Sequence, residues 1–168
     1  MHCSNFNAKF LQEERGNLLL CKIILHKMPT YQISTDKSLL NKKVIHEFIS
    51  NSYWAKEIPM EILELSIENS ICFGVYENDV QVGFARVVTD KATFGYLADV
   101  FILESHRGKG LSKMLMDAIM SHPDLQGLRR FMLATRDAHG LYAQYGFTPV
   151  ALPDRLMEIV KKDLYLKK

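Results

Sequence analysis

The stretch VFILESHRGKGLSKMLMDAIM, Val100 to Met120, changes its hydrophobic period midway, and that change restricts the fold more than any other feature of the chain. Read back to Tyr96, the run YLADVFIL is almost wholly apolar and carries Val100, Phe101 and Ile102 in succession, the signature of a strand covered on both faces. From Leu111 onward, Leu111, Met114, Leu115, Ala118 and Ile119 recur at i, i+3, i+4, i+7 and i+8, so the spacing predicts a helix with one apolar stripe. Ser121, His122 and Pro123 end it. Between strand and helix stand Arg107, Gly108, Lys109 and Gly110.

A helix opening at Gly108 to Ser112 leaves backbone N–H groups without intrahelical acceptors and points the positive end of its dipole outward. Glycines there keep side chains clear, so an anion can lie against the backbone. The expected ligand is a phosphate or diphosphate. The bland alternative is a tight strand-to-helix turn with solvated cations. Two nucleotide loops are excluded: no glycine precedes Gly108 at the P-loop spacing, and Lys113 occupies the place of the third dinucleotide glycine.

The stretch resembles the acyl-CoA loop of the GNAT superfamily of N-acetyltransferases, whose pattern is Gln or Arg, two residues, Gly, one residue, Gly or Ala. In this chain it reads Ser105, His106, Arg107, Gly108, Lys109, Gly110, with Ser105 departing at the first position. The sequel is similar as well: LATRD, Leu133 to Asp137, then AHGLYAQYGF, Ala138 to Phe147, with Thr135 where the family often has asparagine. The resemblance covers Pro29 to the C-terminus. It implies an acetyl-CoA-dependent N-acetyltransferase acting on a primary amine, small molecule or peptide, by direct attack in a ternary complex. The rival is a non-catalytic acyl-CoA sensor of the same fold. Many relatives dimerise, so a homodimer is an expectation too.

The fold implied is a mixed α/β (α+β) arrangement, with a mostly antiparallel central sheet, a splayed strand pair and helices on both faces. By position the splayed strands are Tyr96 to Leu103 and Leu128 to Thr135. Main-chain groups of Val100, Phe101 and Ile102 would meet the pantetheine arm, with Arg107, Gly108, Lys109, Gly110, Leu111 and Ser112 on the diphosphate and Thr135 nearby. Tyr142 is the implied acid toward the leaving thiol. Spacing alone gives the other reading, since Ala138, Leu141, Tyr142 and Tyr145 form a packing stripe. Asp99 is the candidate base: strand alternation puts it on one face with Leu97, Phe101 and Leu103, among apolar neighbours, unless a bulge intervenes. Its other reading is a carboxylate that holds a backbone turn. Tyr53, Trp54 and Glu57, in the loop between the first two helices, are the candidate acceptor-binding residues.

The remaining sequence narrows the alternatives. A chain of 168 residues with net charge +2 is long enough for one core and lacks the basic stripe of a nucleic-acid or membrane-surface binder. Cys3, Cys21 and Cys72 share no CxxC spacing, which argues against zinc or a disulfide framework and for a reducing cytoplasm. HEFIS at His46 lacks the second histidine of a zinc helix and reads as a helix-surface histidine, as does His139. No metal is expected. Residues 1–28 read as an N-terminal extension of the domain at 29–168, with Met28 as the alternative start or an added strand as the other choice. The run LLLCKIILHK within it is too short to span a bilayer.

Element by element, TYQIS predicts a strand, and Asp36 caps a helix carrying Leu39, Leu40, Ile45, Phe48 and Ile49. Pro59 opens a second helix facing inward through Ile62, Leu63 and Ile67. Two strands follow around an Asn78–Asp79 turn, then a reversal at Thr89 to Lys91 and the central strand. The predicted order is β, α, α, β, β, β, α, β, α, β, β, with LMEIVKKDLYL as the last strand.

Overall fold

The structure, a computed structural model, describes residues 30–161 and 163–166, and all its elements belong to the unit that begins at Tyr31. The proposed extension at 1–28, with Cys3 and Cys21, lies outside the described residues. The elements are β1 (Tyr31–Ser34), α1 (Lys42–Ser50), α2 (Met60–Glu68), β2 (Ile71–Glu77), β3 (Val80–Thr89), β4 (Phe94–Ile102), α3 (Leu111–Met120), β5 (Arg130–Leu133) and α4 (His139–Ala143). Short 3-10 turns join several of them. The strands form one sheet in the order β1-β2-β3-β4-β5, antiparallel except for the β4–β5 pair. The expected mixed α/β fold with helices on both faces is present.

One face carries α3. Leu111, Leu115, Met116 and Ile119 pack there against Phe73, Val75, Ala85, Val87 and Leu97. On the other face Ile45 and Ile49 of α1 and Leu63 and Ile67 of α2 pack against Cys72, Phe84 and Phe101. Each fully buried aliphatic side chain contributes roughly 1.5–3 kcal/mol as an upper bound. Leu97 and Phe101 differ by an even number of residues, yet they face opposite cores. Pure alternation, which would keep them together, therefore fails. The cause is a β-bulge: Phe84 pairs with Phe101 and Arg86 with Ala98, so Asp99 and Val100 together oppose Ala85 alone. Asp99 takes the left-handed conformation at φ 55, which aspartate tolerates better than most residues.

Other boundaries move for local reasons. Asp36 caps only a 3-10 turn at Lys37–Leu39, because Leu40 is extended; the α1 cap is Asn41, whose Oδ1 accepts from the Val44 N–H. Pro59 stands at the N-cap of α2, just ahead of its first turn, and Ile62 faces outward while Leu63 and Ile67 are buried. The Asn78–Asp79 turn joins β2 to β3 with Glu77 paired to Val80, as expected of a two-residue hairpin loop. The predicted closing strands are not formed among the described residues. Leu156 to Lys161 has no regular structure, and Met157 and Ile159 are 98% and 95% exposed. Strand propensity acts only where a partner edge is paired, and β5 is paired on one side only among the described residues.

The reversal into β4 is built on Asp90. Its carboxylate accepts from the Thr93 hydroxyl and from the Phe94, Ala92 and Thr93 N–H groups, which hold its pKa far below the ordinary aspartate value. A depressed folded-state pKa gives stability that is complete above the unfolded value of about 4 and is lost as pH falls toward the folded one. Asp90→Asn is therefore expected to lower stability at pH 7, and the deficit should shrink at pH 2 to 3. Urea denaturation of both proteins at the two pH values checks this.

Candidate functional site

The cleft starts where a strand pair stops. The β4–β5 register runs from Phe94–Arg130 to Leu97–Leu133 and ends there, immediately before the Asp99–Val100 bulge. Beyond Leu97 the β5-facing edge of β4 has no strand partner among the described residues, which leaves main-chain groups available to a ligand. A cleft of about 1630 Å³ opens in this gap. Val100, Phe101, Ile102, Arg107, Ser112, Thr135, Tyr142, Tyr53, Trp54 and Asp99 all line it, so the structure brings most of the expected site residues together. The Ile102 carbonyl is already engaged, accepting from Arg107 Nε at 3.2 Å.

At one end of the cleft the chain turns into α3. Gly108 and Gly110 have φ of 74° and 79°, and a Cβ on either would meet nothing within 4 Å. Backbone handedness requires glycine here, and the space over it is open. Gly110 is the N-cap and supplies no side-chain acceptor; Lys113 and Met114 are the first to bond back to its carbonyl. The amides from Gly108 to Ser112 thus find no acceptor among the described residues. Leu111 is buried in the core and can offer only its amide.

Lys109 points elsewhere. Its Nζ donates to the Tyr31 hydroxyl at 3.0 Å; Tyr31 donates to Glu77 Oε1 at 2.5 Å, and His106 Nε2 lies 3.3 Å from Glu77 Oε2. Ser105 Oγ lies 2.8 Å from His106 Nδ1. The Tyr31 hydrogen bond raises the Lys109 pKa, and the same hydroxyl, with His106, lowers that of Glu77. In this arrangement Lys109 ties the loop to β1 and adds charge beside the opening without lining it.

On the opposite wall Tyr142 is 8% exposed. Burial, then Asp137 and Tyr53, raise its pKa, and no described residue accepts its hydroxyl proton. Thr135 Oγ1 accepts from the Ala138 N–H at 3.0 Å and so caps the approach to α4. Tyr145 of the same stripe lies outside the cleft, bonded to the Lys113 carbonyl and Asp117, with a pKa pushed up to about 12 by burial and by Asp117.

The α1–α2 loop forms the third side. Tyr53 packs edge-on against Trp54 at 5.0 Å, and the Arg136 guanidinium sits over the Tyr53 ring at 4.2 Å, spanning the cleft. Glu57, expected here, is exposed, has φ 59 and does not line the cleft; its N–H is used on the Ser50 carbonyl to close the loop. The carboxylates that do line it are Glu47 of α1, Asp137 and Asp99; Glu47 and Asp137 were missed, since they carry no local sequence signal that marks them. Arg86 and Arg136 were missed as well. Asp99 lies between them and the loop: Oδ2 accepts from Arg86 Nε at 2.5 Å and Oδ1 from Trp54 Nε1 at 3.0 Å. The apolar neighbourhood expected for it is replaced by a guanidinium and an indole. His139 is exposed, whereas His46 is half-buried with Nε2 2.8 Å from the Ile58 carbonyl, an anchor of the loop and not a free surface group. Cys72 is buried, and burial raises its thiol pKa to about 11. Among the described residues no group of histidine, cysteine and acidic side chains could hold a metal ion.

Comparison with known proteins bears on this geometry. The profile of the acetyltransferase (GNAT) family matches residues 41–147. This chain belongs to the GNAT family. An acetyltransferase-family protein of Gibberella zeae is 35% identical over 68% of this chain and 76% of its own length. A GNAT-family crystal structure from Xanthomonas campestris pv. campestris is 56% identical, with TM-score 0.81, covering 83% of this chain and 99% of that one. Glucosamine-6-phosphate N-acetyltransferase of Arabidopsis thaliana, 16% identical with TM-score 0.57 over 80% of this chain and 99% of that one, shares the fold alone.

Both motif departures of this GNAT chain have local uses: Ser105 faces His106, and Thr135 closes the turn ahead of α4 by accepting from the Ala138 N–H. No helix among its described residues is long and apolar enough to cross a membrane. Gly110→Ala would force a side chain into the left-handed region, at a cost of roughly 1–2 kcal/mol. Urea denaturation of that variant should show this loss with an unchanged m-value.

Proposed function

We propose that the protein transfers an acetyl group from acetyl-CoA to a primary amine by direct attack in a ternary complex. The observation that carries this reading is the meeting, in one cleft, of an unpaired strand edge, a glycine-opened helix mouth and a buried neutral phenol. The residues fit the donor. Amides from Gly108 to Ser112, with Arg107, suit a diphosphate, and the free edge of β4 at Val100 to Ile102, with Thr135, suits an amide-bearing arm. Bound acetyl-CoA would supply an activated thioester.

The acceptor arrives largely as an ammonium. With a pKa near 10.4, exposing its lone pair at neutral pH costs about 4–5 kcal/mol. Asp99 already accepts from Arg86 and Trp54, so the base role passes to water in the open cleft, with Glu47 on its wall. Attack by the amine forms the C–N bond while the C–S bond breaks and its electron pair stays on sulfur. Tyr142, held neutral by its raised pKa, gives its phenolic proton to that sulfur and regains one from solvent. The inert Cys72 thiol is consistent with a route that has no acyl-enzyme.

Coenzyme A release measured over a panel of primary amines tests the proposal. Turnover is expected, Tyr142→Phe should slow it roughly a hundredfold at saturation, and kcat/KM should rise with pH along a limb that moves with each amine's own pKa. Tight acetyl-CoA binding with no turnover on any amine would favour the sensor instead.

A further inference from the structure

Asp99 has a side chain only 8% exposed, and a buried carboxylate persists only when paired and hydrogen-bonded. Its two oxygens join three parts of the molecule. Through Oδ2 it holds Arg86 of β3, whose Nη1 donates to Ser70 Oγ at 3.3 Å at the start of β2; through Oδ1 it holds Trp54 of the α1–α2 loop. Trp54 continues into an aromatic chain: Phe48 lies 6.5 Å from it and stacks on Phe101 at 3.9 Å, while Tyr53 abuts it and meets Arg136 across the cleft. The bulge that turns Asp99 left-handed is what aims its carboxylate at the loop.

We propose that Asp99 is a positioning residue for the acceptor: by holding the Trp54 indole it fixes the loop wall against which the amine docks, and it removes no proton itself. This rests on the acetyl-transfer reading for the word acceptor, but the contact can be read without it. Trp54 is the only tryptophan in the chain, so its fluorescence reports the contact directly.

Three variants test this. Trp54→Phe removes the indole donor and leaves the Asp99–Arg86 pair intact. Asp99→Asn keeps an acceptor for the indole at a residue type that tolerates the left-handed region, and Asp99→Ala removes it. Trp54→Phe and Asp99→Ala are expected to raise KM for the amine about tenfold, the size of one lost charge-assisted hydrogen bond, with donor KM unchanged. Asp99→Asn should keep kcat within about threefold and leave the pH limb where it was, since no proton transfer is lost. Acrylamide should quench Trp54 more strongly in Asp99→Ala than in the wild type.

If Asp99→Asn turned over about a hundredfold more slowly at saturation, or slower still, and lost the pH limb, Asp99 would be the base and the proposal would be overturned. An unchanged amine KM in Trp54→Phe, or donor and amine KM rising together, would overturn it too. If the wild type turns over no amine, the acetyl-transfer reading fails; unchanged quenching in Asp99→Ala removes the positioning role independently of that result.

Discussion

The functional architecture depends on one extra residue in β4. Because Asp99 and Val100 together face Ala85, the strand changes sides at the point where its pairing with β5 has just ended. Leu97 is thereby committed to the α3 core and Phe101 to the α1–α2 core, so both faces of the sheet reach the cleft. A bulge leaves backbone unpaired and re-aims a side chain in a single step. Here the bulge sits beside the edge that β5 has ceased to pair, and the re-aimed side chain is the Asp99 carboxylate.

Around that point the molecule separates two tasks. The helix mouth at Gly108 to Ser112 is a backbone device whose glycines are set by handedness, with Arg107 beside it on the cleft wall. The loop side of the cleft is built from side chains: the aromatic chain from Phe101 through Phe48 to Trp54 and Tyr53, with Arg136 closing from the far wall. Tyr142 stands where the two meet, buried enough to keep its proton.

The strand, the loop and α3 were legible in the sequence because a change of period and two glycines are local signals, and local signals do not depend on register. The family resemblance likewise located the cleft, since its residues lie along one continuous stretch. What escaped notice was non-local. Arg86 meets Asp99 only because β3 pairs with a bulged β4, and no spacing in the sequence encodes that shift. The left-handed turn that takes Glu57 out of the cleft has no local signature, and Lys109 meets Tyr31, a partner 78 residues away. Leu156 to Lys161 shows the converse error, a strand-like composition without a strand beside it.

The chain of contacts from Lys109 through Tyr31 to Glu77 and His106 braces the Arg107–Gly110 loop from behind, on the side away from the cleft. These contacts restrain the loop from within the fold. Conformational entropy that a braced loop gives up on folding is not lost again on association, which is the physical content of preorganisation.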